Sequence, residues 1–206
     1  LLRRVRFSRS VLAMLPAAQI DSLQRCDDGA CRLGLSGIDV EARGSGALWL
    51  PEIRLLAVAD LHLGKAERMA RRGGALLPPF ETQDTLARLA AEIAALEPAI
   101  VVCLGDSFDD GAAAAALAPV LRPALARLAA GRRWVWIGGN HDPAPTGLAG
   151  EWCAALSLAG LAFRHIAEAP VGEVSGHYHP KATVAPRGRR VTRRCFLTDG
   201  TRMILP

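Results

Sequence analysis

The feature that most constrains the fold is a series of short, continuous apolar runs, each of which ends in a polar cluster. The runs and the polar residues that follow them are 54–59 with Asp60, 100–104 with Asp106, and 134–137 with Asn140. Such runs are typical of strands that are buried on both faces of a sheet. Between the first two runs, residues 82–96 carry apolar side chains at helical spacing, and Pro98 closes that segment. The pattern predicts an α/β fold with polar side chains at the carboxyl ends of its strands, where open α/β sheets bind ligands.

The second half of the chain departs from this alternation. Predicted strands with no helix between them cover residues 161–164, 171–175, 191–197 and 202–205. This arrangement predicts a sheet that is mixed at one side. Elsewhere we interpret residues 33–40 as one strand, residues 112–130 as a broken helix, and residues 152–159 as a short helix.

Composition excludes two broad classes of protein. Half of the 206 residues are hydrophobic and 22% are charged, which excludes a disordered chain. No apolar run approaches the roughly 18 residues of a membrane span. We expect one domain over residues 31–206, preceded by an N-terminal extension over residues 1–30. The apolar stretch of this extension is short and is interrupted by Pro16, so we do not interpret it as a secretory signal. The five cysteines form no regular framework and fit a reducing compartment, so we expect a cytoplasmic protein.

Five predicted loops at strand ends carry side chains that can bind metal ions. They contain all five histidines of the chain, in the segments Asp60-Leu-His62, Asp106-Ser-Phe-Asp109, Asn140-His-Asp142, His165 and His177-Tyr-His179. A single histidine is usually a turn or core residue, but the joint occurrence of these groups at successive strand ends favours a metal site. Carboxylate and imidazole ligands without thiolates suit manganese, iron or catalytic zinc better than structural zinc.

The candidate ligands are too many for one ion, which indicates two divalent ions. Two ions roughly 3.5–4 Å apart can hold both the attacking and the leaving oxygen of a phosphoryl displacement. Ions this close need a shared carboxylate. Asp106 is the candidate, because it lies between the other ligand groups in chain order.

The order of these motifs resembles the calcineurin-like metallophosphoesterase superfamily. The motifs are Asp-x-His, Gly-Asp-x-x-Asp, Gly-Asn-His-Asp, a single His, and Gly-His-x-His, spread over about residues 47–180. Residues 59–65, the Arg-Arg-Gly that ends at Gly73, and residues 176–180 are similar to the bacterial ligase-associated branch. Members of that branch accompany DNA ligase and helicase genes in the DNA damage response and are described as manganese-dependent phosphodiesterases and DNA endonucleases. The resemblance implies a sandwich of two mixed β-sheets flanked by helices.

The resemblance also implies a role for each motif residue. Asp60, His62 and His179 would bind the first ion, Asp106 would bridge both ions, and Asn140, His165 and His177 would bind the second. His141 would act on the leaving group as an acid or charge stabiliser, oriented by Asp142, and Asp109 would hold a ligand in place. The implied cofactors are two divalent metal ions, with manganese favoured over iron or zinc.

Residues around the ions have to select the substrate. The formal net charge is +5, and cationic residues follow the first and last ligand loops, with Lys65 and Arg72 as the substrate-binding candidates. Positive charge beside the site would raise the local concentration of a polyanion. The alternative explanation of this charge is an arginine-rich surface that only reflects genomic base composition. We expect DNA, single-stranded or flapped, as the substrate, in DNA repair and with a functional link to DNA ligase and helicase. Two alternatives stay open: a phosphodiesterase on a small nucleotide, and an interaction module of this fold without turnover.

Overall fold

The computed structural model describes residues 24–26, 28–73, 80–112, 121–143, 147–169 and 171–206. Within this part of the chain, an eight-stranded β-sheet packs against a five-stranded β-sheet, and helices cover the other face of the larger sheet. Both sheets contain parallel and antiparallel pairs. The predicted fold class, an α/β sandwich of two mixed β-sheets flanked by helices, is confirmed.

The larger sheet follows chain order from β1 to β8. Its strands are β1 (Gln24–Arg25), β2 (Cys31–Leu35), β3 (Ile38–Ala42), β4 (Leu48–Leu50), β5 (Leu55–Val58), β6 (Ile100–Leu104), β7 (Arg133–Ile137) and β8 (Glu151–Cys153). Strands β1 to β5 pair antiparallel, and β5 to β8 pair parallel. The three apolar runs of the sequence form β5, β6 and β7, so their carboxyl ends lie at one edge of the sheet. The described end of the N-terminal extension joins this sheet, because Gln24 of β1 lies opposite Arg32.

Three helices are described, and the longest packs on the larger sheet. They are α1 (Lys65–Arg71), α2 (Glu81–Leu96) and α3 (Leu121–Ala129). Helix α2 buries Leu86, Leu89 and Ile93, whose spacing of three and four residues puts them on one helical face, and α3 adds Leu125. Helix α2 ends where Glu97 takes a left-handed conformation, directly before Pro98. No helix in the described residues is long and apolar enough to cross a membrane.

The smaller sheet covers the opposite face of the larger one. Its strand order is β14 (Leu197–Thr198), β15 (Arg202–Ile204), β11 (Glu173–Ser175), β10 (Leu161–Arg164) and β9 (Ala155–Leu158). Between the sheets, Phe163, Val174 and Met203 pack against alternate residues of β5, β6 and β7. Each such fully buried side chain contributes about 1.5–3 kcal/mol. The strands that carry the polar clusters are therefore held from both faces.

A separate two-stranded hairpin extends the chain after the last candidate ligand. Strand β12 (Lys181–Val184) pairs antiparallel with β13 (Val191–Arg194), and the connection contains a 3₁₀ turn at Pro186–Gly188. Lys181 lies opposite Arg194, and Ala182 lies opposite Arg193.

Local structure differs from the sequence predictions in three segments. Residues 191–197, predicted as one strand, are divided between β13, which pairs with β12, and β14, which begins at Leu197 and pairs with β15. Residues 33–40 are not one strand, because Ser36 and Gly37 adopt φ values of +49° and +81° and turn the chain between β2 and β3. Residues 152–159 are not helical, because they belong to β8 and β9, which pair with β7 and β10. The predicted broken helix over residues 112–130 is seen as α3, and residues 113–120 lie outside the described part of the chain.

Candidate metal centre

The predicted ligands lie in loops that follow five strands. Asp60 and His62 follow β5, Asp106 follows β6, Asn140 follows β7, His165 follows β10, and His177 and His179 follow β11. Backbone hydrogen bonds tie neighbouring loops together, since the His62 N–H donates to the Asp106 carbonyl oxygen at 2.9 Å and the Gly176 N–H donates to that of His165 at 3.1 Å. The structure therefore brings all seven side chains to one edge of the sandwich.

Asp60, His62 and His179 form the first donor cluster. One ligand atom of each residue lies within 4.8 Å of the others. Asp60 Oδ2 accepts the His177 N–H at 2.9 Å, whereas Oδ1 is buried and has no hydrogen-bond partner in the described structure. A buried carboxylate oxygen without a donor is costly, and a cation would satisfy it. Burial also raises the pKa of Asp60 and lowers that of His62.

Asp106, His165 and His177 form the second donor cluster, and Asn140 joins it. His165 Nδ1 lies 2.9 Å from the Leu104 carbonyl oxygen, which can only accept, so Nδ1 carries the proton. In a neutral His165 ring, Nε2 is then an acceptor, and it lies 2.8 Å from Asn140 Oδ1 and 3.2 Å from His177 Nδ1. Three groups that can all act as acceptors thus point at one place, as the ligands of a cation do.

Asp106 lies between the two clusters. Its Oδ2 atom is 3.4 Å from His165 Nε2, and its Oδ1 atom accepts the His141 N–H at 2.9 Å. Burial would raise the pKa of Asp106, but the His165 imidazole in its protonated form and the hydrogen bond from the His141 N–H outweigh burial and lower it to about 2. The Asp106 charge also acts on Asp60 and His62 in the first cluster.

The backbone is strained at most of the candidate ligands. Positive φ values between 45° and 70° occur at Asp60, His62, Asp106, His177 and His179. This left-handed region costs an ordinary residue about 1–2 kcal/mol, although Asp, Asn and His adopt it more readily than others. Strain of this kind persists where the surrounding structure fixes it, and it concentrates at functional sites.

Two glycines let the backbone approach these carboxylates. A Cβ atom on Gly139 would lie 2.2 Å from both the backbone nitrogen and Oδ1 of Asp106. A Cβ atom on Gly176 would lie 2.6 Å from Asp60 Oδ2. Both glycines directly precede candidate ligands, so the site requires residues without a side chain at these two positions.

Asp109 supports the first cluster. It shares a third donor group with His62 and His141, but its carboxylate is already occupied. Oδ1 lies 2.8 Å from His62 Nδ1, and Oδ2 accepts a hydrogen bond from Arg68 Nε. Asp109 therefore fixes the His62 ring so that Nε2 is left as its free ligand atom, in line with its expected supporting position.

The structure corrects the expected partner of His141. His141 Nδ1 donates to the Asp109 carbonyl oxygen at 2.8 Å, and Nε2 lies 3.9 Å from Asp106 Oδ2. Asp142 does not orient this ring, because its two carboxylate oxygens accept the Gly139 and Phe108 N–H groups, each at 3.1 Å. Asp142 thus joins the Asn140 loop to the Asp106 loop. Burial, with the Asp106 charge adding to it, raises the pKa of Asp142 to about 6.

A cavity of about 730 Å³ opens beside the first cluster. Asp60, His62 and Lys65 line it on one side, and Arg193 and Arg194 line it from the hairpin. Lys65, which follows the first ligand loop in sequence, therefore lies beside the first cluster. Arg72 is exposed at the far end of α1 and does not line this cavity, because the helix carries it about 10 Å along its axis from Lys65.

Sequence reasoning did not assign the contacts of two residues at this site. Arg68 holds Asp109, and its only signal in the sequence is its place in the cationic segment after His62. Tyr178 is 49% exposed between two candidate ligands, and its ring makes an edge-on contact with His177 at 5.1 Å between centroids. Its position in the Gly-His-x-His motif could have drawn attention to it.

Comparisons with known proteins agree with this geometry. Fold and donor clusters together define a metal-dependent hydrolase of the α/β-sandwich type. The family model for calcineurin-like phosphoesterases matches residues 53–193, so the chain belongs to that family and is a phosphoesterase. The crystal structure of the Pseudomonas putida nuclease MPE is similar, with a TM-score of 0.69, 26% sequence identity and coverage of 86% of each chain. A search of curated proteins gives no match.

Proposed function

We propose that the protein is a binuclear metal-dependent phosphodiesterase that acts as a DNA endonuclease. The observation that carries this proposal is the convergence of two donor clusters on either side of one buried carboxylate, Asp106. Membership of the calcineurin-like phosphoesterase family supports phosphoester hydrolysis, and the likeness to a solved nuclease supports a nucleic acid as substrate.

Each candidate ligand has a place in this proposal. Asp60, His62 and His179 would hold the first ion, Asn140, His165 and His177 would hold the second, and Asp106 would be shared by both. Divalent cations fit the unpartnered Asp60 Oδ1 atom and the groups of the second cluster that can act as acceptors. When bound, two divalent ions, with manganese favoured over iron or zinc, supply Lewis-acid charge and lower the pKa of a water molecule.

His141 is the group of this chain that would move a proton. The Asp109 carbonyl oxygen fixes the ring through Nδ1, which leaves Nε2 directed at the site and able to donate to a leaving oxygen when the ring is protonated. A positioned acid of this kind contributes about 10²–10⁴-fold to rate. In this proposal Asp142 acts indirectly, because it fixes the loop that carries Asn140.

DNA, single-stranded or flapped, is the proposed substrate. Lys65, Arg193 and Arg194 line the cavity beside the first cluster and would attract a polyanion. The similarity of the sequence motifs to the ligase-associated branch supports a role in DNA repair with a functional link to DNA ligase and helicase. In this proposal the enzyme is cytoplasmic, and its catalytic domain spans residues 31–206.

A small nucleotide is the second candidate substrate. The cavity of about 730 Å³ lies within the size range of small-molecule sites, roughly 300–1,000 Å³. Its lining mixes cations with the carboxylates Glu81 and Asp84, which suits a nucleotide less well than a uniformly cationic pocket.

Two assays test the proposal. Hydrolysis of bis(p-nitrophenyl) phosphate with manganese is expected for the wild type and is expected to be strongly reduced in Asp60→Asn, which replaces the carboxylate that has the unpartnered oxygen by a neutral amide. Absence of turnover in the wild type would instead favour the non-catalytic interaction module. Nicking of circular single-stranded DNA distinguishes the two candidate functions, since a DNA endonuclease opens the circle and a small-nucleotide phosphodiesterase leaves it intact.

A further inference from the structure

The β12–β13 segment, residues 181–194, is here called the basic hairpin. It contains six cationic residues and no carboxylate: Lys181, Arg187, Arg189, Arg190, Arg193 and Arg194. The whole chain has 25 lysines and arginines against 20 carboxylates; without the hairpin the cations number 19. The rest of the chain therefore carries 19 cations against 20 carboxylates, so the hairpin holds a large share of the positive charge; residues 1–10 carry four further arginines and no carboxylate.

Seven arginines elsewhere in the described structure pair with carboxylates. Arg32 pairs with Glu41, Arg133 with Glu151, and Arg202 with Asp199. Arg43, Arg68, Arg71 and Arg164 also pair with carboxylates. Within the residues that the structure describes, no ion pair joins a hairpin cation to a carboxylate, and all six of these residues are exposed. The hairpin thus presents uncompensated charge to an external anion.

The basic hairpin leads directly into the metal centre. Only Pro180 separates Lys181 from the candidate ligand His179. At its base, Arg193 and Arg194 line the same cavity as Asp60 and His62, whereas the tip carries the other three arginines. An anion that extended along the hairpin would therefore reach the donor clusters.

Tyr178 adds a different kind of contact at the same place. It is 49% exposed, it lies between the candidate ligands His177 and His179, and the Tyr178 N–H donates to the Gly176 carbonyl oxygen at 2.9 Å, which holds the turn. Its exposed ring can stack on a flat aromatic partner, and a nucleobase is a partner of matching size.

We propose that the basic hairpin and Tyr178 form a binding track for a single nucleic acid strand that ends at the metal centre. This inference rests on the proposed function. The hairpin arginines bind backbone phosphates, and Tyr178 stacks on a base beside the phosphate to be cleaved. Contacts of these two kinds do not read sequence, so binding is expected to be sequence-tolerant.

The hairpin is tested by the salt dependence of binding. Fluorescence anisotropy with a labelled oligothymidine, in chelator so that no cleavage occurs, compares the wild type with two triple variants of equal charge. The test variant is Arg187→Ala, Arg189→Ala and Arg190→Ala; the control is Arg32→Ala, Arg133→Ala and Arg202→Ala. Each phosphate contact contributes about 0.7 to the slope of log affinity against log salt, so the test variant should lose about 2 from that slope. The ratio of wild-type affinity to test-variant affinity should then fall about 15-fold as the salt concentration rises from about 50 to about 200 mM. The control variant should behave as the wild type.

Tyr178 is tested by a pair of substitutions. Tyr178→Ala should lower oligothymidine affinity roughly 5- to 150-fold with an unchanged salt slope, and Tyr178→Phe should retain most of the affinity. Equal salt slopes in the hairpin variant and its control, or equal affinities of the Ala and Phe variants, would overturn the corresponding half of the track. Binding is measured without turnover, so these outcomes stay separate from the proposed function, which fails if the wild type hydrolyses neither the chromogenic ester nor DNA.

Discussion

Replacing Gly139 by alanine should damage the metal centre while leaving the fold intact. The new Cβ atom would lie 2.2 Å from the nitrogen and Oδ1 of Asp106 and 2.7 Å from Asp142 Oδ1, whereas real Cβ atoms essentially never approach within 3.0 Å. The backbone atoms of Asp106 cannot rotate away as a flexible side chain could. The loop that carries Asn140 must therefore move by about 1 Å relative to Asp106.

The size of the effect follows from that displacement. Overpacking of a well-packed site costs about 1–3 kcal/mol of stability, which a domain of ordinary stability tolerates. A misplacement of about 1 Å can lower turnover by roughly 10²-fold. Asn140 belongs to the second donor cluster, so the affinity for the second ion should fall more than that for the first.

Metal titration by calorimetry, turnover of bis(p-nitrophenyl) phosphate and urea unfolding measure the three quantities. Gly34→Ala is the matched control, because a Cβ atom there meets nothing within 4 Å and the φ of Gly34 is not in the left-handed region. Gly176→Ala is the complementary variant, since its Cβ atom would lie 2.6 Å from Asp60 Oδ2 and should weaken the first site instead. Wild-type metal affinity and turnover in Gly139→Ala would refute the close approach on which this reasoning depends.

Three further predictions concern the metal ions and the proton donor. Asp106→Ala should cost more activity than the loss of any other single ligand, because Asp106 lies between both clusters; elemental analysis that still finds two ions would show that it is not the bridge. His141→Ala should keep its metal content and lose about 10²–10⁴-fold in DNA cleavage, but much less with a nitrophenyl ester, whose leaving group needs no proton. Loss of metal, or equal losses with both substrates, would make His141 a ligand or a structural residue. Chelated protein should recover more activity with manganese than with magnesium, because four candidate imidazole ligands are softer than the oxygen ligands that magnesium prefers; equal recovery in a metal-replacement assay contradicts that assignment.

The central strands were predictable because their signal is simple. Strands β5, β6 and β7 are buried on both faces, so each is a continuous apolar run that ends where the chain leaves the core. Residues 152–159 carry no such signal. Their alanines and leucines favour a helix locally, but pairing with β7 and β10 makes them strands. Long-range pairing of this kind is not written in the local sequence.

The candidate ligands were predictable for a different reason. They occur in short motifs directly after strands, and the parallel order of β5 to β7 brings those motifs to one edge. The motifs do not predict which group each side chain contacts. Asp142 follows His141 in sequence, yet it accepts backbone N–H groups from Gly139 and Phe108 because the loop folds back over the Asp106 loop. Arg72 likewise follows a ligand loop in sequence but is carried away from the cavity by α1.

The backbone conformations explain why the motifs have the residues they do. Asp60 and His62 both have positive φ, as do His177 and His179, so each x residue of Asp-x-His and His-x-His lies between two left-handed positions. In Asp-x-His both flanking side chains belong to the first donor cluster, whereas in His-x-His they belong to different clusters, His177 to the second and His179 to the first. Branched side chains would be strained at these left-handed positions, whereas aspartate and histidine tolerate the region and also supply ligand atoms. The chemistry of the ligands and the conformation of the loops therefore require the same residue types. The intervening residue differs between the two motifs, since Leu61 packs against the core whereas Tyr178 is exposed.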